Sequence, residues 1–172
     1  IYFLSGLFLK TTPRVVKAGI LCPAILLVVF LFVRSSHTRD LSDADALRHV
    51  MRSDRLHSRI TALKYILHNR IDIAGFPSHQ DMIESQHIPE RYWLAKALGV
   101  SRTPETREFL QRLLDDPHFN VVCMALEALG RRGDPDDIPL ILGRIARSDT
   151  WYEQWYAYRA ARRLGWKQGE SR

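Results

Sequence analysis

The side chains that most often carry acid–base, nucleophilic or metal chemistry are scattered through this sequence rather than gathered. Its seven histidines are His37, His49, His57, His68, His79, His87 and His118. None stands in an HExxH or any other spacing that turns two ring nitrogens toward one metal. Surface and capping roles are therefore the expectation for them. Two acidic pairs, Asp115-Asp116 and Asp136-Asp137, fall where one helical pattern ends and the next begins, a place for carboxylates that cap helices. Cys123 sits inside an apolar helical pattern without an activating base, and Cys22 in a very apolar run. There is no CxxC, GxSxG, GxGxxG or phosphate-binding loop. No catalytic residue, metal site or cofactor is expected.

The densest cluster is of another kind. Trp151 to Trp166 reads WYEQWYAYRAARRLGW and holds three of the four tryptophans. At 100° per residue, Ala157, Ala160 and Leu164 fall on one side of a helix. Trp151, Trp155, Tyr158 and Arg162 fall nearly opposite, and Tyr152, Tyr156, Arg159 and Arg163 form a third row. The small side suits packing on a preceding helix. The aromatic row then meets the protein's own helix 135–147 and the tail bearing Trp166, or a lipid headgroup surface, or another protein. Trp, Tyr and Arg dominate interface hot spots. Trp151, Tyr152, Trp155, Tyr158, Arg159, Arg162 and Trp166 are accordingly the candidate docking residues.

The elements that must position this helix repeat along the chain. RYWLAKALG (91–99), VCMALEALG (122–130) and AYRAARRLG (157–165) share an ending, and RITALKYIL (59–67) is a weaker copy. Each follows a second apolar-periodic stretch. Pro104 opens one with Thr103 as N-cap, Pro135 another with Asp134, and Ser42 caps the stretch beginning LSDADALRHVM. The helix 119–130 is apolar nearly all round, as a helix flanked on several sides should be. No segment alternates as a strand. Four helix pairs are expected: 42–51 with 55–69, 79–86 with 89–99, 104–115 with 119–130, and 135–147 with 151–164. The glycines that close the second helices, Gly99, Gly130 and Gly165, suit left-handed C-caps.

The run RYWLAKALGVSRTPETREFLQRLLDDPHFNVVCMALEALGRRGDPDDIPLIL resembles HEAT repeats, in particular the short variety found in bilin lyases. The ALG endings, the Gly-Asp-Pro turn at 133–135 and the DDPHFNVV lead into the next helix carry the likeness. It is strong over 91–147 and weaker over 42–70 and 148–166. The resemblance implies an all-α fold, an α-solenoid of about four HEAT-like pairs over residues 42–166, used mainly as a protein-binding scaffold. Repeat-built enzymes of this kind, bilin lyases and alkylpurine DNA glycosylases, form a minor alternative, since no chromophore signature accompanies the likeness.

A different physics governs the start of the chain. Residues 15–33, VVKAGILCPAILLVVFLFV, carry one charge, Lys17. As a helix they would span about 28 Å, close to a bilayer's hydrocarbon thickness. A transmembrane helix is the expectation, with Lys17 snorkelling to the interface and Pro23 tolerated within it. A linker, 34–41, follows, and a tail, 167–172, ends the chain. Residues 1–14 pair an apolar stub with a basic loop and read as the tail of a preceding membrane helix. Lys10, Arg14 and Lys17 favour a cytoplasmic loop and so a periplasmic repeat domain in a bacterial inner membrane, while Arg34, Arg39, Arg48 and Arg52 argue the opposite side.

The net charge is +6, with acids and bases interleaved, which argues for a solvated surface and against nucleic acid as partner. The expected function is a membrane-anchored scaffold or accessory subunit, its partners the bilayer through residues 15–33 and the other subunits of a membrane complex, with no small-molecule substrate. The alternative is a regulatory or sensory C-terminal domain of a longer multi-span protein.

Overall fold

The computed structural model describes residues 41–169. The expected membrane helix at 15–33 and the stub before it lie outside the described residues. Among those described, no helix is long and apolar enough to cross a membrane.

Seven α-helices follow one another: α1 (Ala44–Met51), α2 (Leu56–Asn69), α3 (Ile88–Leu98), α4 (Pro104–Leu113), α5 (Phe119–Arg132), α6 (Ile138–Arg147) and α7 (Trp151–Arg163). No strand occurs among the described residues. Local chemistry sets most boundaries. Asp43, one residue on from the expected Ser42, caps α1 by accepting from the amides of Asp45 and Ala46. Thr103 caps α4, accepting from the amide of Thr106 at 3.4 Å, with Pro104 in the first turn. Asp134 caps a 3₁₀ turn at Pro135–Asp137, and α6 proper begins only at Ile138.

The first helix expected for the second pair, 79–86, does not form. Three 3₁₀ turns, Ile73–Gly75, Pro77–His79 and Asp81–Glu84, replace it. Pro77 removes a backbone donor and holds Phe76 out of the helical region, at φ −128° and ψ 84°. At the other end Ser85 turns away (φ −59°, ψ 136°), and its hydroxyl donates to Glu90 at 2.5 Å. The stretch between is too short for a stable α-helix. Its apolar side chains Ile73, Phe76, Met82 and Ile83 are nevertheless buried in the common core.

The second helices α2, α3, α5 and α7 pack in that order as one layer, and α1, α4 and α6 each lie against the second helix of their own pair. The α5 helix is enclosed as its composition predicts: Val121, Val122, Ala125, Leu126 and Leu129 are fully buried. Its glycine does not act as the expected cap. Gly130 lies inside α5, and a Cβ there would sit 2.8 Å from the Cα of Ala160 on α7. Gly99 repeats the arrangement one pair earlier, at φ −66°, where a Cβ would sit 2.8 Å from the Cβ of Ala128 on α5. These two glycines buy close approach between neighbouring second helices. The left-handed positions among the described residues are Arg70, which ends α2 at φ 54°, Gly133, which ends α5 at φ 79°, Gly165 at φ 94° and Gly169 at φ 92°.

Ion pairs stitch successive pairs together. The Arg59 guanidinium meets the Glu90 carboxylate through both oxygens, Arg91 grips Asp116 at 2.6 and 3.1 Å, and Arg107 meets Asp137 at 2.8 Å. The three acids are almost wholly buried; Arg59 and Arg107 stay partly open to solvent, while Arg91 is buried with its acid. A fourth arginine, Arg132 on α5, is buried and serves carbonyls instead, donating to Ser101 and Thr103. Burial pushes its pKa down from the ordinary arginine value.

Candidate functional site

α7 is anchored before its aromatic face is placed. Gln154 donates to the Ser148 carbonyl at 2.7 Å, and the buried Glu153 lies 3.3 Å from Arg144 of α6. Ala157, Ala160 and Ala161 are buried against α5 and α6. Helical geometry then fixes where the large rings go. Trp151, Tyr152, Trp155 and Tyr158 are 64%, 56%, 45% and 36% exposed, and they account for four of the six large hydrophobic side chains exposed among the described residues.

The rings form a ladder. Trp151 and Trp155 stack with centroids 6.1 Å apart and planes 5° from parallel. Trp155 stacks on Tyr158 at 6.3 Å, and Trp166 meets Tyr158 edge-on at 6.1 Å. At the other end Tyr152 meets Trp151 edge-on and reaches Phe119 of α5 at 6.2 Å. Arg162 donates to the Trp166 carbonyl at 3.1 Å and so pins the start of the tail. Ile145, Gln154 and Gln168 join Trp151, Trp155, Tyr158 and Trp166 around an open groove of about 320 Å³. The tail therefore closes only the Tyr158 end of the row, and the tryptophans at its other end face outward.

Six of the seven predicted docking residues belong to this ladder or brace it. The seventh, Arg159, does not. Its guanidinium sits 6.0 Å from the ring centre of Tyr156, on the third row of the helix. Burial raises the Tyr156 pKa above that of an ordinary tyrosine, and the charge of Glu127 adds to the rise. On α3, Tyr92 and Trp93 meet edge-on at 5.5 Å. Next to Tyr92, two lysines converge on one indole: Lys64 of α2 is 4.7 Å and Lys96 of α3 is 5.3 Å from the Trp93 ring centre, and Lys96 is 5.6 Å from that of Tyr92. The sequence reading missed this group. The spacing of Tyr92-Trp93 and Lys96 places them on one turn, a signal that was present. The approach of Lys64 from another helix left none.

The side chains first weighed for chemistry are spread apart. His79 is buried, its Nδ1 2.7 Å from the Phe76 carbonyl oxygen, and stands edge-on to Phe109. His49, His57, His68 and His87 are exposed, and the ring of His118 takes the amide of Asn120 at the start of α5. No group of three or more metal-binding side chains occurs among the described residues. Neither acid caps a helix: Asp116 accepts from the His118 amide at 2.8 Å one step before α5, whose N-cap is His118, and Asp137 is spent on Arg107. The Cys123 thiol is buried and its pKa is pushed up to about 12, so it stays protonated and a poor nucleophile at neutral pH. His37 and Cys22 lie outside the described residues.

Helix pairs laid side by side, with one continuous core and a layer of second helices, define an α-solenoid. Residues 80–162 match the family model for HEAT repeats. Those residues run from the last turns of the irregular second pair to the final turn of α7. No curated protein matches the chain. HEAT repeats in general mediate protein–protein interaction, and protein is the class of partner that this fold indicates.

Proposed function

We propose that this chain is a protein-interaction module of a membrane complex, tethered to the bilayer through residues 15–33, and that its aromatic ladder docks a helix of another subunit. The carrying observation is the exposure of Trp151, Trp155 and Tyr158 on the side of α7 opposite its alanine seam. In the interior of the stack that side of a second helix is covered by the next one. Here, among the described residues, only the tail at Trp166 covers one end of it. Rings at i, i+4 and i+7 make a ridge that an amphipathic helix can flank with its own apolar face. A stacked pair of tryptophans beside a groove also matches the composition of interface hot spots. The tether rests on the apolar run at 15–33 with its single charge.

Gentle detergent extraction from the native membrane, followed by native mass spectrometry, tests the reading. A stoichiometric second subunit is expected with the wild-type chain, and it should be lost from Trp151→Ala/Trp155→Ala while the helical circular dichroism and melting curve persist. A wild-type chain that runs alone overturns the docking proposal. The tether is tested separately by alkaline extraction: Leu26→Arg/Val29→Arg should release the chain from membranes that retain the wild type.

A further inference from the structure

A second surface, independent of the ladder, lies along the layer of second helices. We infer that the cations Lys64, Lys96 and Arg159, each held on an aromatic ring of Trp93, Tyr92 or Tyr156, form a ledge that binds an acidic, extended peptide segment. These three cations form no ion pair with a carboxylate among the described residues, whereas Arg59, Arg91, Arg107 and Arg144 all do. The ledge crosses helices: Lys64 reaches from α2 to the Trp93 ring on α3, and α5 joins α3 to α7, which carries Arg159, in the same layer.

Two features say what covers it. Sharing one indole at 4.7 and 5.3 Å keeps the two ammonium groups within about 10 Å of each other, so they repel within a Debye length. An anion between them relieves that repulsion, and carboxylates on alternate residues of an extended chain recur about every 6.5–7 Å. The rings fix the lysine stems, which lowers the entropy lost when an anion is bound. A nucleic acid fits less well. Its bases need free ring faces to stack on, and lysines already occupy positions over Trp93 and Tyr92.

The test is fluorescence anisotropy of a labelled peptide of alternating Glu and Gly, about a dozen residues long, titrated with the full chain in nanodiscs of neutral lipid. Binding is expected at low salt, weakening as salt rises. Lys64→Glu/Lys96→Glu should weaken it by about tenfold or more, and Lys64→Gln/Lys96→Gln, which keeps the packing of the stems, by an intermediate factor. Trp151→Ala/Trp155→Ala should leave it within about twofold. That last result separates the ledge from the ladder, so either proposal can fail alone. Absence of binding, binding that the lysine variants do not change, or tighter binding of an oligothymidylate of equal charge overturns the inference.

Discussion

The helix α7 has two faces that obey opposite rules. Toward α5 it presents Ala157, Ala160 and Ala161, and Gly130 comes so close to Ala160 that a single added carbon would collide. Away from α5 it presents two tryptophans and a tyrosine, all partly open to water. The same contrast separates the α3–α5 seam, with Gly99 against Ala128, from the end of the stack. Small residues let backbones approach and so repeat the spacing from pair to pair. Large rings cannot enter such a seam. A helix that meets the ladder must sit farther out and fill the space with side chains, so the outer face of α7 accepts a different kind of neighbour from its inner face.

That contrast is open to attack by substitution. The largest effect should come from the interior: Leu126→Ala, fully buried in α5, is expected to cost about 2–5 kcal/mol in chemical denaturation. Gly130→Ala adds only one carbon but should cost about 1–3 kcal/mol, because the Ala160 backbone must give way; if it proves neutral, the close-approach seam is misread. Glu90→Gln should cost about 1–2 kcal/mol at neutral pH. Here burial works to raise the Glu90 pKa, but the hydrogen bonds from Arg59 and Ser85 outweigh it and the net shift is downward. A carboxylate whose folded pKa lies below its unfolded value contributes fully above the ordinary value of 4.5 and loses that contribution as pH falls. The melting-temperature gap between wild type and Glu90→Gln should therefore narrow in acid. The smallest effect belongs to the ladder: Trp151→Ala/Trp155→Ala should change stability by about 1 kcal/mol or less. A much larger loss would show that the rings support the fold rather than face a partner.

Much of this contrast was legible in the sequence. The alanines and the aromatic row of the last helix separate on a helical wheel, and the wheel placed both faces correctly. The caps at Thr103 and Asp134 were equally plain, because side-chain oxygen followed by proline is a local signal. What failed depended on partners distant in sequence. Gly99 and Gly130 read as left-handed caps, but Gly99 ends α3 with right-handed backbone and Gly130 lies inside α5, and only the neighbouring helix shows that both are thin spots. The missing helix at 79–86 is different, because its causes are local: Pro77 at one end and Ser85, whose hydroxyl donates to nearby Glu90, at the other. Arg159 and Arg162 already fall on different rows of the helical wheel, and the structure sets the first beside Tyr156 and the second on the Trp166 carbonyl.

The ion pairs with buried acids also give the chain a direction, which the exposed pairs Glu84–Arg112 and Asp115–Arg144 do not share. In Arg59–Glu90, Arg91–Asp116 and Arg107–Asp137 the arginine comes first and the acid lies one pair further on. Trimming the stack from its amino-terminal side strands a short carboxylate in a nearly dry position. Trimming from the carboxy-terminal side strands a long guanidinium that can swing out into water. A shortened form made by removing α6 and α7 should thus survive better than one made by removing α1 and α2, and any transplanted piece needs its upstream neighbour more than its downstream one.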